Sequence, residues 1–83
     1  MILDVLEVLI GNGGGMNMTR LSQAANLSYA KLREIIEDLQ ANGAVEVRQD
    51  DGVNMVYITE RGLRLASELR RLKQVLMDFN IDL

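Results

Sequence analysis

Hydrophobic residues along this chain change their spacing several times, and each change marks an element. Ile2, Val5, Leu6 and Leu9 fall on one helical stripe, Leu3 and Ile10 add a second, and only Asp4 and Glu7 mark a narrow polar side. The first ten residues are therefore expected to form a helix covered on more than one face. GNGGG, from Gly11 to Gly15, ends it, because four glycines in five residues cannot hold a helix. A short extended piece, Met16 to Met18, comes next. Thr19 is the expected N-cap of a brief helix through Ala25, with Leu21 and Ala24 inward.

After the turn ANLS, Ser28 stands where a cap is needed. Leu32, Ile35, Ile36 and Leu39 then recur at i, i+3, i+4 and i+7, so a second helix of the pair runs to Asn42-Gly43, with Gly43 the left-handed residue after its last turn. From Val45 to Gln49 the rhythm switches to strict alternation, which is that of a strand. DDG, Asp50 to Gly52, reads as a hairpin turn and VNMVYI as the returning strand. Thr59 caps a final helix. The expected order is helix, short strand, helix, helix, hairpin, helix: a mainly α chain with a small β-hairpin (α+β).

The order and the residues together resemble a winged helix-turn-helix domain over roughly residues 16–65. The resemblance rests on the short helix and turn, the helix carrying Leu32, Ile36 and Leu39, the NGAVEV that follows it, and the hairpin returning to YITERG. The whole chain is most similar to the small archaeal winged-helix/coiled-coil DNA-binding proteins known from Sulfolobus and its relatives, in which a long last helix pairs antiparallel with its twin. The resemblance implies one winged-helix domain over residues 1–83, with a core of about 1–59 and a coiled-coil-like helix over about 60–80. It further implies a homodimeric, sequence-specific DNA-binding protein, a transcription regulator reading the major groove with the helix 28–42. A winged-helix adaptor that binds another protein and no DNA is the alternative, because a fold does not fix a function.

The last helix carries its own pattern. Leu65, Leu69, Leu72, Leu76, Phe79 and Leu83 are separated by four, three, four, three and four residues, a heptad seam of the kind that drives two helices together. Leu3, Val8 or Ile10 of the first helix is expected to add to that interface, since three heptads alone are few; the alternative is a long amphipathic helix folding back on its own domain.

Composition narrows the chemistry. The 83 residues contain no histidine and no cysteine, so there is no neutral-pH base, no thiol nucleophile and no disulfide or Cys/His metal site; Ser22, Ser28 and Ser67 lack an activating partner. An enzyme is not expected, and no cofactor is implied. GNGGG follows a helix with no lysine nearby, which does not fit a phosphate-binding loop, and DDG lacks the further oxygen ligands of a calcium loop. No basic leader and no apolar run near 20 residues is present, so a cytoplasmic protein without a membrane span is expected.

Charge changes the picture more. Nine Lys/Arg face twelve Asp/Glu, giving a net charge of −3 and a pI near 4.8. Phosphate neutralisation dominates DNA affinity, so indiscriminate DNA coating is disfavoured and cations focused on one face are required. Off the apolar stripe, the candidates on the reading helix are Ser28, Tyr29, Lys31, Arg33 and Glu34. The resemblance adds Ala30. The resemblance also implies that the preceding helix crosses the phosphate backbone, where Arg20 and Gln23 would contact it. The wing's tip, Asp50-Asp51, repels phosphate, so either the wing does not enter the groove or only Arg48 and Asn54 touch DNA from its flanks. Against this, Lys31 and Arg33 could simply be a solvated face paired with Glu37.

Overall fold

The computed structural model describes residues 1–81. Its elements are α1 (Ile2–Gly11), β1 (Gly15–Asn17), α2 (Met18–Ala24), α3 (Tyr29–Ala41), β2 (Val45–Asp50), β3 (Val53–Ile58) and α4 (Glu60–Asp78). The hairpin β2–β3 is joined by β1 into an antiparallel three-stranded sheet of order β1-β3-β2, with Met16 opposite Val56 and Val47 opposite Val56 on the other side. Three residues are too few to announce a strand by alternation. What makes β1 a strand is the free edge of β3.

The core is gathered from every element. Val5, Leu6 and Leu9 come from α1, Met18 and Leu21 from α2, and Leu32, Ile35, Ile36 and Leu39 from α3; Val45, Val56 and Ala66 close it from the hairpin and α4. Removing one such Leu side chain costs about 2–5 kcal/mol in a well-packed core. The first helix is covered on more than one side, as its composition requires: Leu3, Val8 and Ile10 are half-buried against the same core.

The capping pattern holds at two helices and shifts at one. Ser28 Oγ accepts from the Lys31 amide at 3.1 Å, and Thr59 Oγ1 accepts from the Gly62 amide at 3.2 Å. At α2 the cap is Asn17, whose Oδ1 accepts from the Arg20 amide at 2.8 Å, and Thr19 lies inside the first turn. Asn17 ranks above Thr as a cap, and Met18 joins the core only if the helix starts there. The earlier start also rotates the face: Met18, Leu21 and Ser22 are buried, whereas Ala24, expected inward, is exposed.

The turns follow backbone chemistry. Gly43 has φ +75° at the end of α3. The hairpin turn is two residues long, Asp51 (φ +50°) and Gly52 (φ +76°), with Asp50 already paired to Val53. Two positive φ values in an Asp-Gly pair are the mirror-image turn that matches strand twist.

Thr59 ties the hairpin to the helices. Its hydroxyl donates to the Gly43 carbonyl at 2.6 Å and its amide donates to the Ala44 carbonyl at 3.0 Å. Gly62, one turn into α4, lies so close to the Ala44 carbonyl and to Ile58 that a Cβ would collide with both. The first half of α4 is thereby pressed onto the core, with Ala66 fully buried and Leu65 and Leu69 half-buried. Arg70 reaches Glu7 on α1 at 3.8 Å, an exposed pair worth at most about 1 kcal/mol.

Beyond Arg70 the helix leaves the core, and the long axis of the molecule reaches 47 Å. Leu72, Val75 and Phe79 are 47 %, 50 % and 73 % exposed. The heptad spacing thus spans two environments. Leu3, Ile10, Leu65 and Leu69 pack against the chain's own core, and Leu72, Leu76 and Phe79 lie past its edge. Leu83, the last position of the seam, lies outside the described residues. Among the described residues no helix is long and apolar enough to cross a membrane.

Candidate nucleic-acid interface

At 3.6 residues per turn the buried stripe of α3 fixes what the rest of the helix presents. Ala30, Glu34 and Glu37 form the outward line, all exposed. Tyr29, Arg33 and Gln40 lie on the flank facing the hairpin. Lys31 and Asp38 lie on the opposite flank, toward α1 and α4, where they line a groove with Met1, Leu3 and Leu69. Lys31 and Arg33, adjacent candidates in the sequence, therefore face different neighbours.

Their electrostatics differ too. Lys31 Nζ lies 3.7 Å from Glu34 Oε2 on the same helix, so part of its charge is locally compensated. The expected partner, Glu37, is not the one it takes. Among the described residues Arg33 has no carboxylate within ion-pair distance, and it stands at a groove of about 190 Å³ between α3 and the hairpin, with Tyr29, Glu37, Gln40 and Asn54. A second groove, about 240 Å³, joins Tyr29 and Asn54 to Asn17 and Thr19 at the start of α2 and to Gly52 at the hairpin turn. Tyr29, 42 % exposed, belongs to both. The N-terminus of α2, the N-terminal half of α3 and the inner face of the hairpin thus meet in one continuous concave surface. Arg20 and Gln23 project from the side of α2 opposite Met18, Leu21 and Ser22, and both are exposed.

The hairpin separates two residues that the sequence placed together. Directly paired residues share a face, and faces alternate along a strand. Asn54 pairs with Gln49 on the same face as Val47 and Val56, toward α3. Arg48 pairs with Met55 on the other face. There its guanidinium lies 2.9 Å from Glu46 Oε2 and 5.4 Å from the centre of the Tyr57 ring. Tyr57 in turn donates its hydroxyl to Asp50 Oδ2 at 2.8 Å. Acceptance of that hydrogen bond by the Asp50 carboxylate holds the phenol above its ordinary pKa, with desolvation and the carboxylate's charge adding to the shift and Arg48 opposing it. Asp50 is therefore engaged on the outer face, and Asp51 alone of the two acids occupies the turn.

Four polar members of the concave surface, Asn17, Thr19, Glu37 and Gln40, are absent from the sequence-based candidates. Gln40 was legible: it stands seven residues after Arg33, on the same flank. Asn17 was hidden because a cap at Thr19 would have placed it in the strand.

A winged helix-turn-helix family model matches residues 1–77. The chain belongs to the winged helix-turn-helix family. In that frame α2 and α3 are the helix-turn-helix, α3 its second helix, and β2–β3 the wing. F93 from STIV, a winged-helix DNA-binding protein, superposes with a TM-score of 0.79 at 21 % identity, covering 89 % of this chain and 88 % of that one. Sso10a-2, a DNA-binding protein from Sulfolobus solfataricus, gives a TM-score of 0.83 at 16 % identity, with 95 % and 83 % covered. Sco5413, a MarR family transcriptional regulator from Streptomyces coelicolor, gives 0.83 at 16 % identity, and the chain spans only 54 % of its length. At these identities the shared property is the winged-helix fold. No curated protein matches the sequence.

Proposed function

We propose that this winged-helix protein is a sequence-specific, homodimeric DNA-binding transcription regulator of the cytoplasm, reading the major groove with α3. The observation that carries the reading is the concave surface around Tyr29, where the helix-turn-helix and the wing meet and where Arg33, beside Glu37 on the same groove, has no carboxylate within ion-pair distance among the described residues. In this arrangement α3 enters the major groove N-terminus first. Ser28 and Tyr29 contact the groove edge, Ala30 permits close approach, and Arg33 forks onto guanine O6 and N7. Lys31 and Glu34 act as a coupled pair at the far edge of the helix. Arg20 and Gln23 hold the phosphate backbone, and Asn54 reaches from the wing. Arg48, tied to Glu46 and Tyr57 on the other face, contributes a distant charge.

The homodimer is supported by the apolar stripe of α4 beyond Arg70, which the chain's own core leaves uncovered. Two reading heads held by one pair of helices call for two half-sites. Selection from random duplexes followed by sequencing is expected to return a two-fold symmetric motif whose half-sites lie about one helical turn, or a multiple of it, apart. Recovery of no motif would overturn the sequence-specific reading.

One observation favours a second reading. The outward line of α3 carries Glu34 and Glu37, and carboxylates there are unfavourable against phosphate. A basic protein partner docked on the same surface accounts for them, and such an adaptor binds no DNA at any salt concentration.

A further inference from the structure

The outward line of α3, which runs through Ala30, Glu34, Glu37 and Ala41, lies opposite the buried stripe and between the flanks of Arg33 and Lys31. It holds two methyl groups and two carboxylates and no cation. A helix seated in the major groove turns such a line to the base edges, with the phosphate rows to its sides. The groove is about 12 Å wide, so a carboxylate on the outward line lies as far from phosphate as the helix allows. What it meets is decided by hydrogen-bonding type. An ionised carboxylate only accepts. Guanine shows the acceptors N7 and O6, thymine shows O4, and adenine sets its N6 donor beside the acceptor N7. Cytosine alone shows a donor, its N4 amino group, with no acceptor on the same base.

We infer that Glu34 selects cytosine. The inference rests on the DNA reading proposed above and adds the base that one residue demands. Glu34 lies in the N-terminal half of α3, the half that reaches base edges, and its side chain is 72 % exposed. Ala30 stands one turn before it, and a methyl group there lets the helix sink far enough for Glu34 to reach the floor of the groove. Lys31 Nζ, 3.7 Å from Glu34 Oε2, offsets part of the carboxylate's charge as it enters a groove lined by phosphate. Glu37 follows one turn later, beside the groove of Arg33 and farther from the end that enters first. Consecutive helical residues advance about 1.5 Å and base pairs about 3.4 Å. The guanine taken by Arg33 and the cytosine taken by Glu34 therefore fall on the same or on adjacent base pairs. The acid on the reading helix then serves discrimination: it accepts from cytosine and repels the acceptor edges of guanine and thymine.

Selection from random duplexes with the wild type, Glu34→Gln and Glu34→Ala tests the assignment. Both variants place a good helix former at an exposed site, so the fold is retained. The wild-type motif is expected to require cytosine at one position of each half-site. Glu34→Gln is expected to change that position to adenine, because glutamine pairs with N6 and N7 together. Glu34→Ala is expected to lose preference there while the rest of the motif persists. In anisotropy competition, exchanging that C·G pair for T·A should weaken the wild type about tenfold and Glu34→Ala less than about twofold. If both variants return the wild-type motif and gain affinity alike on every duplex, Glu34 only repels phosphate; the DNA reading then stands and the inference is overturned. If the wild type itself returns no motif, the sequence-specific reading falls and the inference falls with it.

Discussion

The two halves of α4 carry the same spacing of leucines and live in different surroundings. Up to Leu69 the helix is fixed from both sides: Thr59 anchors its start to Gly43 and Ala44, Gly62 is pressed against the Ala44 carbonyl, and Ala66 is fully buried. Among the described residues past Arg70 none is buried, and Leu72, Val75 and Phe79 are exposed. A heptad repeat says only that one face of a helix is to be covered. The small residues, Gly62 and Ala66, identify where the cover is the chain's own backbone, since only they allow such close approach. No such small residue stands in the second half, and its apolar side chains are left uncovered by the chain's own core.

Breaking the first half should cost the fold, and breaking the second should not. Gly62→Ala forces a Cβ into the Ala44 carbonyl and to 2.6 Å from Ile58 Cγ1. It is expected to lose about 3 kcal/mol, a fall on the order of 15 °C in Tm by circular dichroism. Leu72→Asp with Leu76→Asp touches only the projecting half. Its expected result is a helical monomer by sedimentation equilibrium, with DNA affinity reduced about a hundredfold because two linked heads become one. A double variant that melts like Gly62→Ala would show that the far half also holds the protomer together.

The flanks of α3 make a sharper, smaller contrast. Arg33→Glu is expected to cost about 1–3 kcal/mol of DNA binding by fluorescence anisotropy, without change in Tm. Lys31→Glu should cost less, since Lys31 is already compensated by Glu34 and lies toward α1 and α4. Equal losses would put both flanks at the DNA. The smallest effects belong to the wing. Asp51→Asn should raise affinity slightly at low salt by removing repulsion at the turn. Arg48→Ala should leave affinity nearly unchanged. Asp50→Asn should instead lower the Tyr57 pKa toward the ordinary phenol value, read by ultraviolet titration, because its carboxylate is what raises it.

Much of the fold and part of the site are legible in the sequence, for physical reasons that also explain the rest. Ser28 and Thr59 were readable as caps because each stands directly before a helical stripe. The start of α2 was not, because Asn17 and Thr19 both cap well and only Met18's place in the core decides between them. The faces of Arg48 and Asn54 follow from strand parity, which depends on turn length. Read as the three residues DDG, the turn leaves parity open, whereas the two-residue turn Asp51-Gly52 fixes it and sends the pair apart. That Lys31 and Arg33 part company follows from the wheel of α3, but what lies on each side depends on where α1 and α4 pack.

For this acidic winged-helix protein the proposed DNA interface is the surface around Tyr29 and Arg33. Anisotropy titrations of the wild type on a labelled duplex, run at about 50 mM and about 200 mM salt beside Arg33→Glu, test it most directly. The expected result is measurable binding at low salt, at least about tenfold weaker at high salt, with a shallower salt slope for the variant because one cation has been lost. Absence of binding at low salt, or an affinity indifferent to both salt and Arg33, would contradict the DNA-binding account and leave the protein-adaptor reading in its place.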